Sequence, residues 1–146
     1  MKYKLIKITE KDYNFIYELK KNAYIKYVDE IWGWNEEFQK QKYHEFIKKY
    51  KEYTYLINLD NKDVGFYNDE YLDNGDYEVC NICIIPEYQG KGIGTKILKD
   101  VLEKNKDKNI HIQYFKQNPV GELYARLGFE PNGETKYHYQ MIKRKK

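Results

Sequence analysis

The chain has 146 residues, of which 34% are charged, 41% hydrophobic and 17% aromatic. This length suits one domain with a core and a cleft, and the hydrophobic share excludes an intrinsically disordered chain. The net charge of +3 is spread over 26 basic and 23 acidic side chains, which argues against a nucleic-acid-binding protein.

The chain has no signal that places it in or across a membrane. No apolar run approaches the length that spans a bilayer, and the N-terminus lacks the apolar core of a signal peptide. The only basic run, residues 143–146, is interpreted as a solvated tail. We therefore expect a cytoplasmic protein with no membrane or nucleic-acid partner.

The first half of the chain predicts a strand, two helices and a hairpin. Residues 3–8 alternate like a strand, and Thr9–Asp12 resembles a capping box before the first helix. A second helix is predicted from Asn35. Two strands, residues 53–59 and 64–67, are predicted to form a hairpin.

The second half predicts strands that alternate with helices. Strands are predicted at residues 78–85, 110–115 and 135–142, the last of them after a Pro-Asn-Gly turn. Helices are predicted at residues 95–102 and 120–127. The order of elements predicts an α/β fold, in which residues 1–146 form a single three-layer domain with a central mixed sheet flanked by helices.

A glycine-rich loop follows the central strand. Gln89 is followed by Gly90, Gly92 and Gly94, and a helical pattern begins at Thr95. The start of a helix leaves backbone N–H groups without partners, and glycine lets an anion approach them, so this loop predicts a phosphate site. The glycine spacing fits neither the dinucleotide fingerprint nor a Walker loop.

Two segments in this half resemble known motifs. Residues 78–94 resemble motif A of the GNAT superfamily of N-acetyltransferases, and residues 118–130, with Leu-Tyr and Leu-Gly-Phe, resemble motif B. The resemblance covers residues 78–130, roughly the C-terminal half of the chain. One departure is Val120 followed by Gly121, where a small alanine-like residue usually opens the helix.

The resemblance implies an N-acetyltransferase that uses acetyl-CoA, needs no metal, and transfers the acetyl group to a primary amine by direct attack in a ternary complex. The alternative is a non-catalytic acyl-CoA-binding module. The resemblance places the pyrophosphate on the loop amides and the pantetheine arm along the central strand. The implied coenzyme-binding residues are Ile82, Cys83, Ile84, Gln89, Gly90, Lys91, Gly92, Ile93, Gly94, Thr95 and Asn118.

The implied catalytic pair is Glu78 as the base and Tyr124 as the acid. Glu78 opens the central strand, where some GNAT branches carry their catalytic glutamate; Asp76 is its nearest rival, and a solvated or lysine-paired glutamate is the alternative. Tyr124 matches the motif B tyrosine that faces the coenzyme sulfur, and the alternative is an aromatic ring that only packs beside Leu127. His111 is assigned no catalytic role.

The acceptor pocket is predicted in residues 24–37, which join the first two helices. Tyr27, Trp32 and Trp34 are suited to hold a cation against their rings, or alternatively to cover the core between the helices. The acceptor is expected to be a small-molecule or peptide amine. The sequence reveals neither its identity nor the acyl chain length, and it leaves the choice between a monomer and a homodimer open.

The two cysteines form a Cys-x-x-Cys pattern without a partner pair. Cys80 and Cys83 lie three positions apart on a predicted strand, so their side chains should point to opposite faces. Neither a metal site nor a disulfide is expected, and both are interpreted as buried core residues.

Overall fold

The computed structural model describes residues 2–146, which form a seven-stranded sheet and four α-helices. The strands are β1 (Tyr3–Lys7), β2 (Thr54–Leu59), β3 (Lys62–Tyr71), β4 (Tyr77–Ile84), β5 (Ile110–Phe115), β6 (Glu130–Glu134) and β7 (His138–Lys143). The helices are α1 (Tyr13–Trp32), α2 (Glu36–Tyr50), α3 (Ile93–Lys104) and α4 (Gly121–Arg126).

The sheet has the strand order β1-β2-β3-β4-β5-β7-β6. β4 pairs with β5 in parallel, whereas the pairs β1–β2, β2–β3, β5–β7 and β6–β7 are antiparallel. The predicted α/β fold with a mixed sheet is therefore confirmed. Within residues 2–146, no helix is both long and apolar enough to cross a bilayer.

The chain divides into two compact units. Unit 1 contains the described residues up to Asn68 together with Asn81–Lys91, and unit 2 contains Asp69–Cys80 and Gly92–Lys146. The expectation of a single domain over the whole chain stays a prediction.

The core of unit 1 forms between α1 and three strands. Side chains three positions apart on α1 pack with side chains from β2, β3 and β4, as expected for an amphipathic helix on a sheet. A Cβ at Gly65 would lie 2.2 Å from the carbonyl oxygen of Cys83, so glycine is needed where β3 approaches β4. The buried cluster consists of Ile16, Leu19, Leu56, Phe66 and Cys83.

The core of unit 2 contains the apolar stripe of α3, which the sequence predicts. Its buried side chains recur at helical spacing, and β4 and β5 contribute residues that alternate along each strand. The buried residues of α3 are Ile93, Ile97, Leu98, Val101 and Leu102, and those of the two strands include Tyr77, Val79, Ile110 and Ile112. Glu78 and His111 therefore point to the other face of the sheet.

The predicted Pro-Asn-Gly turn is wrong. Pro131 lies inside β6, and a bulge between Pro131 and Glu134 takes up the two residues between them, with Gly133 at φ 113°. The chain instead reverses at Thr135, whose Oγ1 accepts a hydrogen bond from the His138 N–H at 3.0 Å. The Pro-Asn-Gly sequence forms a bulge and does not end the strand, because β6 still pairs with β7 on both sides of it.

Asp69 of β3 is a buried carboxyl group in unit 2. Its Oδ2 accepts a hydrogen bond from the Tyr77 hydroxyl at 2.7 Å, while its Oδ1 has no hydrogen-bond partner in the described part of the chain. Burial raises the pKa of Asp69, so the folded state binds this proton more tightly than the unfolded state. The associated stability is present at low pH and is lost as the pH rises through the folded-state pKa.

We expect Asp69→Asn to stabilise the protein at pH 7, since the amide oxygen still accepts from Tyr77 and the buried charge is removed. The gain should be about 1 kcal/mol, or roughly 3 °C in Tm. It should shrink below pH 4, where the carboxyl group is protonated in both states. Thermal melts at both pH values check this, with the exposed Asp73→Asn as the control; an equal gain at the two pH values would contradict it.

Candidate functional site

The loop after β4 has an open backbone. Gly90 and Gly92 have φ values of 75° and 82°, in the left-handed region that favours glycine. A Cβ built on either residue would meet no atom within 4 Å, so a ligand can approach this backbone. The Gln89 amide does not cover the loop, because its Nε2 donates to the Ile84 carbonyl oxygen at 2.8 Å.

The first turn of α3 offers its N–H groups without a side-chain cap. Gly92 is the N-cap residue, no side chain caps the helix, and the first turn contains no acidic residue. Ile93 is only 2% exposed, so its side chain belongs to the core and offers no contact to a ligand. A helix of 12 residues that begins in this way fits an anionic group such as a diphosphate.

Glu78 lies on β4, on the face opposite the core of unit 2, and it is half-buried. The Cys80 thiol donates to its Oε2 over 3.6 Å. Burial, and then the Glu78 charge, raise the pKa of the Cys80 thiol, so it stays protonated and acts as a weak donor. The assignment of Glu78 as the base, against a solvated or lysine-paired glutamate, stays a prediction.

The expectation that both cysteines are buried is confirmed for Cys83 and is wrong for Cys80. Both thiols are free. Cys83 lies in the core of unit 1, whereas Cys80 is only half-buried because it shares the sheet face of Glu78. A coenzyme can therefore use only the backbone of Cys83.

Glu70, Glu78 and Cys80 bring three possible metal-ligand atoms within 4.8 Å of one another. The sequence alone does not indicate this group, because Glu70 comes from the neighbouring strand β3. The raised pKa of the thiol opposes the thiolate that a metal would need. The expectation of a metal-free reaction stays a prediction.

Asp76, the rival base, is engaged by a histidine. Its Oδ2 lies 2.7 Å from His111 Nε2, and the hydrogen bond from His111 lowers the pKa of Asp76. Its backbone N–H donates to Asn74 Oδ1 at 2.9 Å, which fixes the turn before β4. A carboxylate held in this way is a weaker base than a free aspartate.

Tyr124 lies on α4 and is half-buried. Its ring centroid is 5.7 Å from that of Tyr114, in an edge-to-face arrangement, and 5.9 Å from that of Phe129. The ring is therefore held by aromatic packing, with Tyr114 and Phe129 as its partners and not the Leu127 that the alternative interpretation names. The acid role of the hydroxyl stays a prediction.

The start of α4 explains the departure at Gly121. The Asn118 Oδ1 accepts the Val120 N–H at 3.1 Å, so this side chain orders the turn before the helix. A Cβ at Gly121 would lie 2.2 Å from the Tyr114 hydroxyl oxygen. Glycine is required because Tyr114 is itself held between Tyr124 and Tyr139.

We expect Gly121→Ala to destabilise the protein by about 1–3 kcal/mol through overpacking, although alanine is the better helix former. The matched control is the same change in a Tyr114→Phe background, where the clashing oxygen is absent. Urea unfolding of the four proteins of this cycle measures the coupling. Equal effects of Gly121→Ala in both backgrounds would rule out this clash.

The predicted acceptor segment is mostly helical. α1 continues to Trp32, so only residues 33–35 link the first two helices, and Tyr27 and Trp32 lie on α1. The Trp34 Nε1 donates to Glu36 Oε2 at 2.7 Å, and Lys21 Nζ lies 2.9 Å from the same oxygen. Trp34 therefore helps to fasten the helix junction, whereas the Trp32 side chain is 55% exposed.

Glu36 is not available to add negative charge for a cationic acceptor. Hydrogen bonds from Trp34, Lys21 and Tyr17 lower its pKa to about 2, and Lys21 neutralises it. Of the three aromatic candidates, Tyr27 and Trp32 lie on α1 itself, whereas Trp34 lies in the link between the helices.

Similarity to known proteins identifies the family of this chain. Residues 51–131, more than half of the chain, match the acetyltransferase (GNAT) domain. The chain therefore belongs to the GNAT acetyltransferase family, as its motifs predict. The crystal structure of PaiA N-acetyltransferase from Thermoplasma acidophilum in complex with coenzyme A has a TM-score of 0.72, 20% identity and coverage of 99% of both chains. At this identity it shows the same fold.

Two relatives from Bacillus subtilis strain 168 match in sequence. The chain is 35% identical to a spermine/spermidine N(1)-acetyltransferase over 79 residues, which are 51% of this chain and 52% of the relative. It is 28% identical over 101 residues to a protein provisionally named ribosomal protein bS18-alanine N-acetyltransferase, with 66% of each chain covered. The matches thus span about half to two thirds of these relatives.

Proposed function

We propose that the chain is an acetyl-CoA-dependent N-acetyltransferase that transfers the acetyl group to a primary amine by direct attack in a ternary complex. The observation that carries the proposal is the open loop of residues 89–94 before the uncapped helix α3, in a chain of the GNAT family. Amides in such a loop bind a diphosphate through hydrogen bonds and the helix dipole.

The coenzyme is held mainly by backbone groups. The N–H groups of residues 90–94 face the diphosphate, with the Lys91 ammonium and the Thr95 hydroxyl beside it. The backbone of residues 82–84 pairs with the pantetheine arm as an added strand would. Asn118 orients the coenzyme from the turn before α4. When bound, acetyl-CoA supplies an acetyl group activated as a thioester.

The two catalytic residues move protons. An alkylammonium titrates near pH ~10.4, so at neutral pH it must lose a proton before the amine can attack. Glu78 accepts that proton, directly or through water. Tyr124 donates its proton to the departing thiolate and regains one from the nitrogen of the tetrahedral intermediate, which loses its second proton as the amide forms. A phenol suits this role because its reference pKa of about 10 lies near that of an alkyl thiol.

The acceptor is a small-molecule or peptide amine that approaches α1. The relatives are named for spermine or spermidine and for a ribosomal protein, both of which offer amines. Tyr27, Trp32 and Trp34 are the candidate acceptor residues, because cation–π contacts with their rings favour an ammonium group. The reaction takes place in the cytoplasm, which supplies acetyl-CoA.

The test is an assay of free thiol release with acetyl-CoA and a panel of polyamines, amino sugars, amino acids and peptides. We expect acetylation of at least one amine, with the same rate in EDTA. A raised Tm with acetyl-CoA but no acetylation of any amine would identify the non-catalytic binding module instead. No change in Tm and no acetylation would overturn both functions.

We expect Glu78→Gln to lower kcat by about 100-fold at pH 7, because the amide accepts no proton. Coenzyme affinity, measured by calorimetry, should not change. The matched control is Glu70→Gln, which removes the neighbouring carboxylate and should change kcat by less than about threefold. Equal losses in the two variants would assign the effect to local charge and not to a base at Glu78.

A further inference from the structure

Asp76 contacts His111, and Glu78 pairs with His111 in the sheet register, at one end of β4 within unit 2. Parallel pairing of β4 with β5 is limited to Tyr77 with Ile110 and Glu78 with His111. Paired neighbours in a parallel sheet lie about 4.8 Å apart and point to the same face. Since Tyr77 and Ile110 are each only 1% exposed, Glu78 and His111 share the opposite face, where both are half-buried.

The His111 ring is oriented by one hydrogen bond. Its Nε2 lies 2.7 Å from Asp76 Oδ2, and the His111 and Asp76 side chains are 26% and 18% exposed. The lowered pKa of Asp76 keeps this group a carboxylate, which can only accept, so a neutral His111 carries its hydrogen on Nε2. The lone pair on Nδ1 is then available as a base.

We propose that His111, oriented by Asp76, takes from Glu78 the proton that the acceptor amine loses. This inference rests on the proposed function. The ammonium passes one proton to the Glu78 carboxylate, and the carboxyl group passes it to His111 Nδ1, directly or through one water. Asp76 balances the imidazolium charge. The imidazolium then returns the proton to solvent, which accounts for the one proton that acetylation of an ammonium releases.

A relay improves on a carboxylate alone because of the ordinary acidities of the groups. The ordinary pKa of an alkylammonium is about 10.4 and that of a carboxyl group is about 4.3. Transfer of the proton from the first to the second is therefore unfavourable by about six pKa units. The ordinary pKa of an imidazolium is about 6.5, so transfer of the proton from the carboxyl group to an imidazole recovers about two of these units and restores the carboxylate. His111 is therefore a positioning and relay residue that acts through Glu78.

Within residues 2–146, groups near the ring come from the turn before β4, from β4 and from β7. Asp76 comes from the turn before β4, and Glu78 from β4 itself. β7 presents Ile142, which pairs with His111, and the next residue, Lys143, extends towards Gly128. Asp76 is therefore the charged group that sets the hydrogen position on the ring.

The first test uses the whole chain without substrate. Nitrogen-15 NMR of the histidine rings should show His111 with hydrogen on Nε2, and Asp76→Ala should give a mixture of the two forms. Hydrogen on Nδ1 in the unsubstituted protein would overturn the proposal, because the base would then face Asp76.

The second test is His111→Gln, in which an amide N–H replaces Nε2–H towards Asp76 but no base remains. We expect kcat at pH 7 to fall about 10-fold to 100-fold, with KM and Tm unchanged, and the loss to shrink as the pH approaches 10 and the amine becomes neutral. The control is His44→Gln on α2, which should match the unsubstituted protein.

The outcomes separate the two proposals. An active protein whose His111→Gln variant keeps its kcat and pH profile overturns the relay alone. A protein that acetylates no amine overturns the proposed function, and the relay with it, whatever the NMR result.

Discussion

Replacing Gly92 by valine should weaken acetyl-CoA binding by about 100-fold. Gly92 has a φ of 82°, where a residue with a Cβ costs about 1–2 kcal/mol and a β-branched one costs more. The side chain would also occupy the open space at Gly92, through which the proposed diphosphate would reach the first amides of α3. The backbone strain and the blocked space act together. A loop that changes the φ of residue 92 to relieve the strain would turn its amides away from the proposed diphosphate.

Titration calorimetry with acetyl-CoA measures the change in affinity. The control is Gly33→Val, at the end of α1, where φ is 78° and a Cβ also meets no atom within 4 Å. This variant carries a similar backbone cost without touching the loop, so its coenzyme affinity should stay within about threefold of the original. If Gly92→Val keeps its affinity, residues 89–94 do not bind the diphosphate, and the proposed function loses its main support.

The sequence predicts those parts of the fold that have strong local signals. The apolar stripe of α3, the cap at Thr9 and the order of helices and strands each depend on residues within a few positions of one another. The GNAT motifs predict the family for the same reason, since each lies within one short segment. The Thr9 N–H donates to Asp12 Oδ2 at 2.9 Å, as the capping box predicts.

Strand register and bulges could not be predicted from the sequence. The pairing of Glu78 with His111 brings together residues 33 positions apart, and the Asp76 contact spans 35. A bulge overrides the turn signal of Pro131, because pairing with β7 on both sides fixes the strand. His111 therefore comes close to Glu78 and Asp76 only when the sheet has formed.

Tyr124→Phe should lower kcat by about 100-fold and leave coenzyme affinity nearly unchanged. The phenyl ring keeps its packing against Tyr114 and Phe129, so the fold of α4 is retained and only the hydroxyl is lost. An interaction made only as the thiolate departs affects kcat and kcat/KM equally. Steady-state kinetics with the best amine of the panel, and calorimetry with acetyl-CoA, measure the two effects.

The matched control for this change is Tyr139→Phe. Tyr139 packs on the same Tyr114 ring, with centroids 5.7 Å apart, and it also loses one hydroxyl. If aromatic packing alone explained Tyr124, the two variants would have similar kcat values near that of the unsubstituted protein. A selective loss in Tyr124→Phe assigns the proton donor to α4, and this would connect motif B to the chemistry independently of the glycine loop.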